Sequence, residues 1–235
     1  SWELQKFDAP IYTDTRYPFP ANPPYVPTSY NPVGSYVRTF DYHPGNRAGE
    51  LFLTFEGVES AFYVYLNGVE VGYSEDSRLD ARFRVTKLLR DGKNTLAVKV
   101  FRYSDGSYME DQDYWKYSGI ERNVYIEERA ASRVEDYKLV AGLKDDFTNG
   151  DFALELKPNA GCKKGTKIKV EVLDGTKIVF EKLLSYRSAK DSLLSVSSTI
   201  NKVKPWNAET PNIYTLRVTT LTEQGKVAES FAHKF

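Results

Sequence analysis

Two runs of β-forming residues, Phe62-Tyr63-Val64-Tyr65-Leu66 and Val69-Glu70-Val71-Gly72-Tyr73, are joined by Asn67-Gly68 alone. So short a link predicts an antiparallel hairpin. A type I′ turn needs positive φ at both central positions, and Asn-Gly adopts that backbone readily. Further runs of the same kind surround the hairpin. Tyr36-Val37-Arg38-Thr39-Phe40 alternates, and Leu51-Phe52-Leu53-Thr54-Phe55 is short and apolar. Residues 83–89 lead to the turn Asp91-Gly92, and strands are predicted over 95–101 and 123–127. Short strands at regular spacing, separated by turn residues, predict a sandwich or barrel over residues 34–127.

Ahead of these strands lies a stretch dense in proline and tyrosine: Asp8-Ala9-Pro10-Ile11-Tyr12, Tyr17-Pro18-Phe19-Pro20 and Asn22-Pro23-Pro24-Tyr25-Val26-Pro27. Proline fixes its own φ and holds the residue before it extended. The stretch is therefore either a stiff strip laid on a surface or a proline-rich linker. The interleaved aromatics favour the strip, because large rings need something to pack on.

Composition shifts near Ala130-Ala131-Ser132-Arg133, after which prolines thin out and lysines increase. Strands are predicted over 134–139, 152–157, 166–173, 177–184, 193–200, 214–220 and 226–231. About seven strands in about 100 residues suit an immunoglobulin-like sandwich. The expected organisation is all-β, with one sandwich in residues 1–131 and a second in 132–235.

The 32 basic and 32 acidic residues cancel, which favours neither nucleic acid nor an anionic membrane surface. No apolar run approaches the roughly 20 residues of a membrane-spanning helix. The opening Ser1-Trp2-Glu3-Leu4 does not resemble a secretory signal. Cys162 is the sole cysteine, so an internal disulfide is excluded; with His43 and His233 as the only histidines, a zinc centre is not expected.

The segment most suggestive of chemistry runs from Arg102 to Arg122 and includes Asp105-Gly106-Ser107-Tyr108 and Glu110-Asp111-Gln112-Asp113-Tyr114-Trp115-Lys116-Tyr117. It follows a strand and lacks hydrophobic periodicity, so a loop is expected. Carboxylates accept hydroxyl hydrogen bonds, and aromatic faces meet the C–H faces of a pyranose, so the mixture suits sugars. Hard oxygen donors also suit an alkali or alkaline-earth ion. The alternative is a solvated loop whose acids pair with Arg102, Lys116 and Arg122.

Several stretches resemble the amino-terminal region of the large bacterial β-galactosidases of glycoside hydrolase family 2. They are Asp8-Ala9-Pro10-Ile11-Tyr12-Thr13, Asn22-Pro23-Pro24-Tyr25-Val26-Pro27, Gly57-Val58-Glu59-Ser60-Ala61-Phe62, Asn67-Gly68 with Val71 to Arg78, and Ser104 to Ile120. In the second half, Trp206-Asn207-Ala208-Glu209-Thr210-Pro211-Asn212-Ile213-Tyr214 is similar to a Trp-x-x-Glu-x-Pro-x-Leu-Tyr stretch of that family. The resemblance implies a jelly-roll sugar-binding domain followed by an immunoglobulin-like domain, with a catalytic (β/α)₈ barrel next in such enzymes. It also implies that the nucleophile, the acid/base glutamate and most magnesium ligands lie in that barrel.

Two positions inherit roles from the resemblance. Asp113 matches an aspartate that ligates sodium and contacts the substrate near its 6-hydroxyl. Asp14 stands where the family has a substrate-contacting asparagine; aspartate keeps the acceptors but loses the amide donor and adds charge. Sodium and magnesium are therefore expected in the complete enzyme and not as tightly held groups of this chain. Blander roles are expected elsewhere: packing for Trp115 and Trp206, loop shaping for Glu110 and Asp111, and an ion pair for Arg78. His43 and His233 receive no role.

Three functions compete: part of a β-galactosidase acting with a downstream barrel, a free-standing carbohydrate-binding module, and a structural pair of sandwiches mediating oligomerisation. Other activities of the family, on glucuronides or mannosides, share this front architecture. The acidic loop argues against a glucuronide, whose carboxylate prefers Arg or Lys.

Overall fold

Alternation along the strands decides which side chains face inward. In the strand Gly150–Pro158, Phe152, Leu154 and Leu156 are buried, while Asp151, Glu155 and Lys157 between them face water. The same period organises both halves of the chain. The structure is a computed structural model and describes residues 4–13, 16–45, 49–110, 113–188, 190 and 192–235. Two compact units comprise it, Ser1–Glu128 and Arg129–Phe235.

The first unit contains β1 (Ile11–Thr13), β2 (Val33–Tyr42), β3 (Gly49–Phe55), β4 (Val58–Glu59), β5 (Ala61–Leu66), β6 (Val69–Ser74), β7 (Ala81–Arg84), β8 (Gly92–Phe101), β9 (Tyr114–Lys116), β10 (Gly119–Ile120) and β11 (Val124–Ala130). A four-stranded sheet has the order β2-β8-β5-β6 and a three-stranded sheet the order β11-β3-β7. Their shared core holds Leu51, Leu53 and Phe55 of β3 against Phe62, Val64 and Leu66 of β5 and Val98 and Val100 of β8. Each such buried side chain contributes about 1.5–3 kcal/mol. Asn67 (φ 54°) and Gly68 (φ 81°) both sit at positive φ, as the expected hairpin turn requires.

The run 83–89 is shorter as a strand than its composition suggests. The strand ends at Arg84, and one last backbone bond, from the Val85 N–H to the Leu51 carbonyl at 2.8 Å, closes the ladder. The Leu51 N–H donates to the Thr86 hydroxyl at 2.9 Å, so a side chain takes over from the ladder. The Leu88 and Leu89 N–H groups then turn back onto the Val85 carbonyl at 2.9 and 3.1 Å. Buried Val85 anchors that turn in the core.

The second unit contains β12 (Val134–Leu143), β13 (Gly150–Pro158), β14 (Lys167–Asp174), β15 (Lys177–Ser185), β16 (Leu194–Ile200), β17 (Tyr214–Leu221) and β18 (Val227–Lys234). They form sheets of order β12-β13-β16 and β15-β14-β17-β18 around a core of Phe152, Leu154, Leu156, Ile168, Val170, Val172, Leu216 and Val218. The architecture is thus a jelly-roll β-sandwich followed by an immunoglobulin-like β-sandwich. Among the described residues no helix is long and apolar enough to cross a membrane.

On the face of β14 away from that core, Glu171 lies opposite Arg217 of β17 and Glu181 of β15. Arg217 donates to both of its oxygens, at 2.7 and 2.8 Å, and the Lys169 ammonium joins Glu171 to Glu181 at 2.8 Å each. The Arg217 fork, opposed by burial and aided by Lys169, holds the Glu171 carboxyl down at about 2 from its ordinary 4.5. A depressed carboxyl stabilises the fold above the ordinary value, and that contribution disappears as pH falls through the folded-state value. Glu171→Gln should therefore cost about 1.5–3 kcal/mol at pH 7, as expected for charge-assisted hydrogen bonds. The wild-type advantage should shrink between about pH 5 and pH 2. Urea unfolding of both proteins across that window checks this; an advantage independent of pH would contradict it.

The turn before β17 is built by Asn207. Its side-chain oxygen accepts from the Glu209 and Thr210 N–H groups at 3.1 and 2.7 Å. Trp206 itself is 65% exposed and borders an apolar hollow lined by Phe152, Tyr214 and Phe235. It is therefore not the buried packing anchor expected from sequence: the Asn207 turn projects its ring outward.

Candidate sugar-binding site

The proline-tyrosine strip is docked to the acidic loop. Buried Arg102, just after β8, forms an ion pair with Asp8 and donates to the carbonyls of Ala9 at 2.9 Å and Lys116 at 3.1 Å. Tyr30 donates its hydroxyl to Asp8 at 2.9 Å. Farther along, Phe19 is buried against Tyr103, with ring centroids 4.8 Å apart. Tyr17 donates to the Tyr108 carbonyl at 3.1 Å, and Tyr108 donates to the Tyr25 carbonyl at 2.7 Å. Arg102 thus acts as a clamp, holding strip and loop together.

The loop begins with a single 3₁₀ turn, Asp105–Tyr108, closed by the Ser104 N–H donating to the Ser107 hydroxyl at 3.0 Å. It ends in β9, which pairs antiparallel with β1 in the register Ile11 with Lys116, Tyr12 with Trp115 and Thr13 with Tyr114. Neither strand has an apolar alternation that would reveal this pairing. After β9, Gly119 adopts φ 119° and passes so close to Tyr36 that a methyl group there would lie 2.6 Å from the Tyr36 hydroxyl. Only glycine fits that approach.

Asp113 sits immediately before β9. It is exposed, and its Oδ1 accepts the Tyr12 hydroxyl at 2.6 Å. Asp14 follows Thr13 in the sequence and, like Asp111 and Gln112, lies outside the described residues. Glu110 shapes the loop: its two oxygens accept the Ser77 N–H at 2.9 Å and the Ser77 hydroxyl at 2.6 Å. Trp115 is 52% exposed and packs against the Tyr12 ring at the surface rather than in the core; β9 turns Tyr114 and Lys116 inward and Trp115 outward.

Beneath β9 is a cavity of about 20 Å³ lined in part by Glu59, Ser60, Arg102, Glu110, Tyr114 and Lys116, enough space for one water. Of its lining residues, Glu59 pairs with Arg78 at 3.0 Å; Arg78 also pairs with Glu121, and its guanidinium stands 5.2 Å from the centre of the Tyr114 ring. Burial holds the Glu59 carboxyl up at about 8 against the pull of Arg78, with Glu121 and Glu110 pushing the same way. The sequence gives Arg78 its ion pair but no sign that Glu59 is buried. Among the described residues no three His, Cys, Asp or Glu side chains gather as a metal site.

Residues 1–129 match the model of the glycosyl hydrolases family 2 sugar-binding domain, and residues 132–235 match a second model of glycosyl hydrolases family 2. The chain belongs to glycoside hydrolase family 2. It is 40% identical over 242 residues to β-galactosidase 2 of Enterobacter cloacae, covering 97% of this chain and 23% of that enzyme. To the β-galactosidase of Priestia megaterium it is 37% identical, again over 97% of this chain and 23% of the relative. The chain thus spans about a quarter of the length of these family 2 relatives and corresponds to their amino-terminal part. Among solved structures, the same fold recurs in a β-glycosidase from Bacteroides vulgatus, with TM-score 0.72 and 23% identity over 86% of this chain and 25% of that one. It recurs also in the β-glucuronidase of Bifidobacterium dentium complexed with coumarin-3-O-glucuronide, with TM-score 0.71 and 20% identity over 86% of this chain and 39% of that one.

Proposed function

We propose that this chain supplies part of the sugar site of a retaining β-galactosidase, through a sugar-binding domain in residues 1–131 followed by an immunoglobulin-like domain in 132–235. The observation that carries the reading is the Tyr12–Asp113 hydrogen bond at the β1–β9 junction. Tyr12 donates to one oxygen of exposed Asp113 and so orients the carboxylate, and in this reading the other oxygen accepts a ligand hydroxyl. By the family resemblance alone, Asp14 also contributes to substrate binding through a hydroxyl. The names of the relatives support galactosides as the substrate class.

Retaining hydrolysis needs two carboxyl groups about 5–5.5 Å apart on either side of the scissile bond. The family resemblance assigns these to a barrel beyond this chain, so the 235-residue chain is non-catalytic. Asp113 offers one hard oxygen donor to sodium, which requires further donors from elsewhere in the protein. Sodium held there would supply positive charge to the substrate's 6-hydroxyl oxygen. Magnesium, by the same resemblance, belongs with the barrel.

The isolated chain should show no turnover of a chromogenic β-galactoside and should bind galactose weakly. Activity surviving repeated purification would refute the first expectation. A low-micromolar dissociation constant by calorimetry would favour a free-standing carbohydrate-binding module. In the whole protein, Asp113→Ala should lower kcat/KM about tenfold to a hundredfold, the loss of a hydrogen bond to a charged acceptor worth about 1.5–3 kcal/mol, and should blunt the response to sodium. Asp113→Asn should need more sodium for the same rate. Asp14→Ala should weaken the reaction more than Asp14→Asn does. Unchanged kinetics and sodium response in Asp113→Ala would remove Asp113 from the site.

A further inference from the structure

Along β9 the side chains alternate: Tyr114 and Lys116 line the cavity beneath, whereas Trp115 between them is exposed. Tyr117, just after β9, borders the cavity and is exposed as well, and Asp113, just before β9, is exposed. Trp115 shows 52% of its surface, Tyr117 44%, and Tyr12, the cross-strand partner of Trp115, 51%. The three rings are continuous. Tyr12 and Trp115 have centroids 5.5 Å apart, and Trp115 and Tyr117 lie 6.3 Å apart with planes within 28°. One end of this aromatic ridge carries Asp113, joined to Tyr12 by its hydrogen bond. Contiguous exposed aromatics mark a binding surface more often than isolated ones do.

We propose that Trp115 and Tyr117 form a stacking surface for a second pyranose, the one glycosidically linked to the sugar whose hydroxyl Asp113 accepts. The inference rests on the reading of Asp113 given above and extends it from one sugar ring to two. A pyranose has an apolar C–H face and a hydroxyl edge; the face packs on aromatic rings while the edge stays hydrated. The carboxylate at the end of the ridge suits hydroxyl donors and repels phosphates and other anions. The match of residues 1–129 to a sugar-binding domain agrees with this ligand chemistry. The competing occupant of the ridge is another part of the same protein.

The test compares a β-galactosyl disaccharide with methyl β-galactoside in the whole protein, because the two share the first ring and differ in the second. Trp115→Ala should lower the ratio of kcat/KM for the disaccharide to that for the methyl glycoside about tenfold, mainly through KM. That change sits at the upper end for an aromatic contact. Trp115→Phe should restore most of the ratio, and Tyr117→Leu should shift it in the same direction by less. Asp113→Ala should lower both rates and leave the ratio unchanged. If Trp115→Ala does not fold, Trp115→Phe and Tyr117→Leu carry the comparison. An unaltered ratio in the Trp115 and Tyr117 variants overturns the proposal, whether absolute rates fall, as they would if protein packs on the ridge, or hold. If Asp113→Ala affects neither substrate, the Asp113 reading fails by itself, since the ratio is measured in proteins that keep Asp113.

Discussion

Arg102→Met should destabilise the first unit by about 3–5 kcal/mol, the usual result of removing one partner from a buried ion pair. The Arg102 side chain is 2% exposed and its partner Asp8 10% exposed, so the loss leaves a carboxylate with little water around it. Methionine fills much of the same volume, which isolates the charge from the packing. Two further bonds disappear, to the carbonyls of Ala9 and Lys116. Because Arg102 bonds both the strip and β9, the β1–β9 ladder should loosen with it. Urea unfolding measures the total, and amide hydrogen exchange at Tyr12 and Lys116 locates it. Asp8→Asn in the same background should recover part of the loss, because the stranded charge is gone. A change below about 1 kcal/mol, with exchange unaltered, would show that the clamp contributes only what an exposed pair does.

Phe55→Ala should cost a similar amount, about 3–5 kcal/mol, through a different cause. The ring is fully buried and meets Phe62 at 5.0 Å and Phe83 at 6.2 Å between centroids. It joins β3 of one sheet to β5 of the other, so truncation opens a cavity where the two layers interlock. Phe55→Leu should cost less, since most of the volume remains. Denaturant midpoints for the three proteins should fall in the order wild type, leucine, alanine. A midpoint for alanine close to wild type would mean that Phe62 and Phe83 collapse into the gap. The slope should hold constant if the transition remains cooperative.

The strands that pack these cores were legible because burial imposes a period of two, and residues such as Phe152, Leu154 and Leu156 display it without regard to the rest of the chain. The hairpin at Asn67-Gly68 was legible because backbone geometry restricts the residues that can occupy it. The candidate site was legible only in part. Composition picked out the loop and the resemblance picked out Asp113, but β9 reads Tyr-Trp-Lys and carries no alternation of its own. Its partner is distant in sequence, and local pattern says nothing of distant pairing. For the same reason the burial of Glu59 and the double grip of Arg102 left no trace in the sequence. Packing was expected for Trp115 and Trp206, and the sequence did not show that both rings would lie at the surface, 52% and 65% exposed.

The hydrogen bond from Tyr12 to Asp113 joins residues 101 positions apart. During synthesis at about 5–20 residues per second, Tyr12 therefore waits about 5–20 seconds for its partner. For most of that interval the strip has neither β9 to pair with nor Arg102 to hold it. The first sandwich can lay down its inner strands as they emerge, but this corner can close only near the end of the domain. A message cut before the codon for Asp113 would leave a chain that has most of the first unit's core but no closed β1–β9 corner. Ribosome-bound chains halted on either side of that codon, probed by protease at the proline-tyrosine strip, would show when the corner closes.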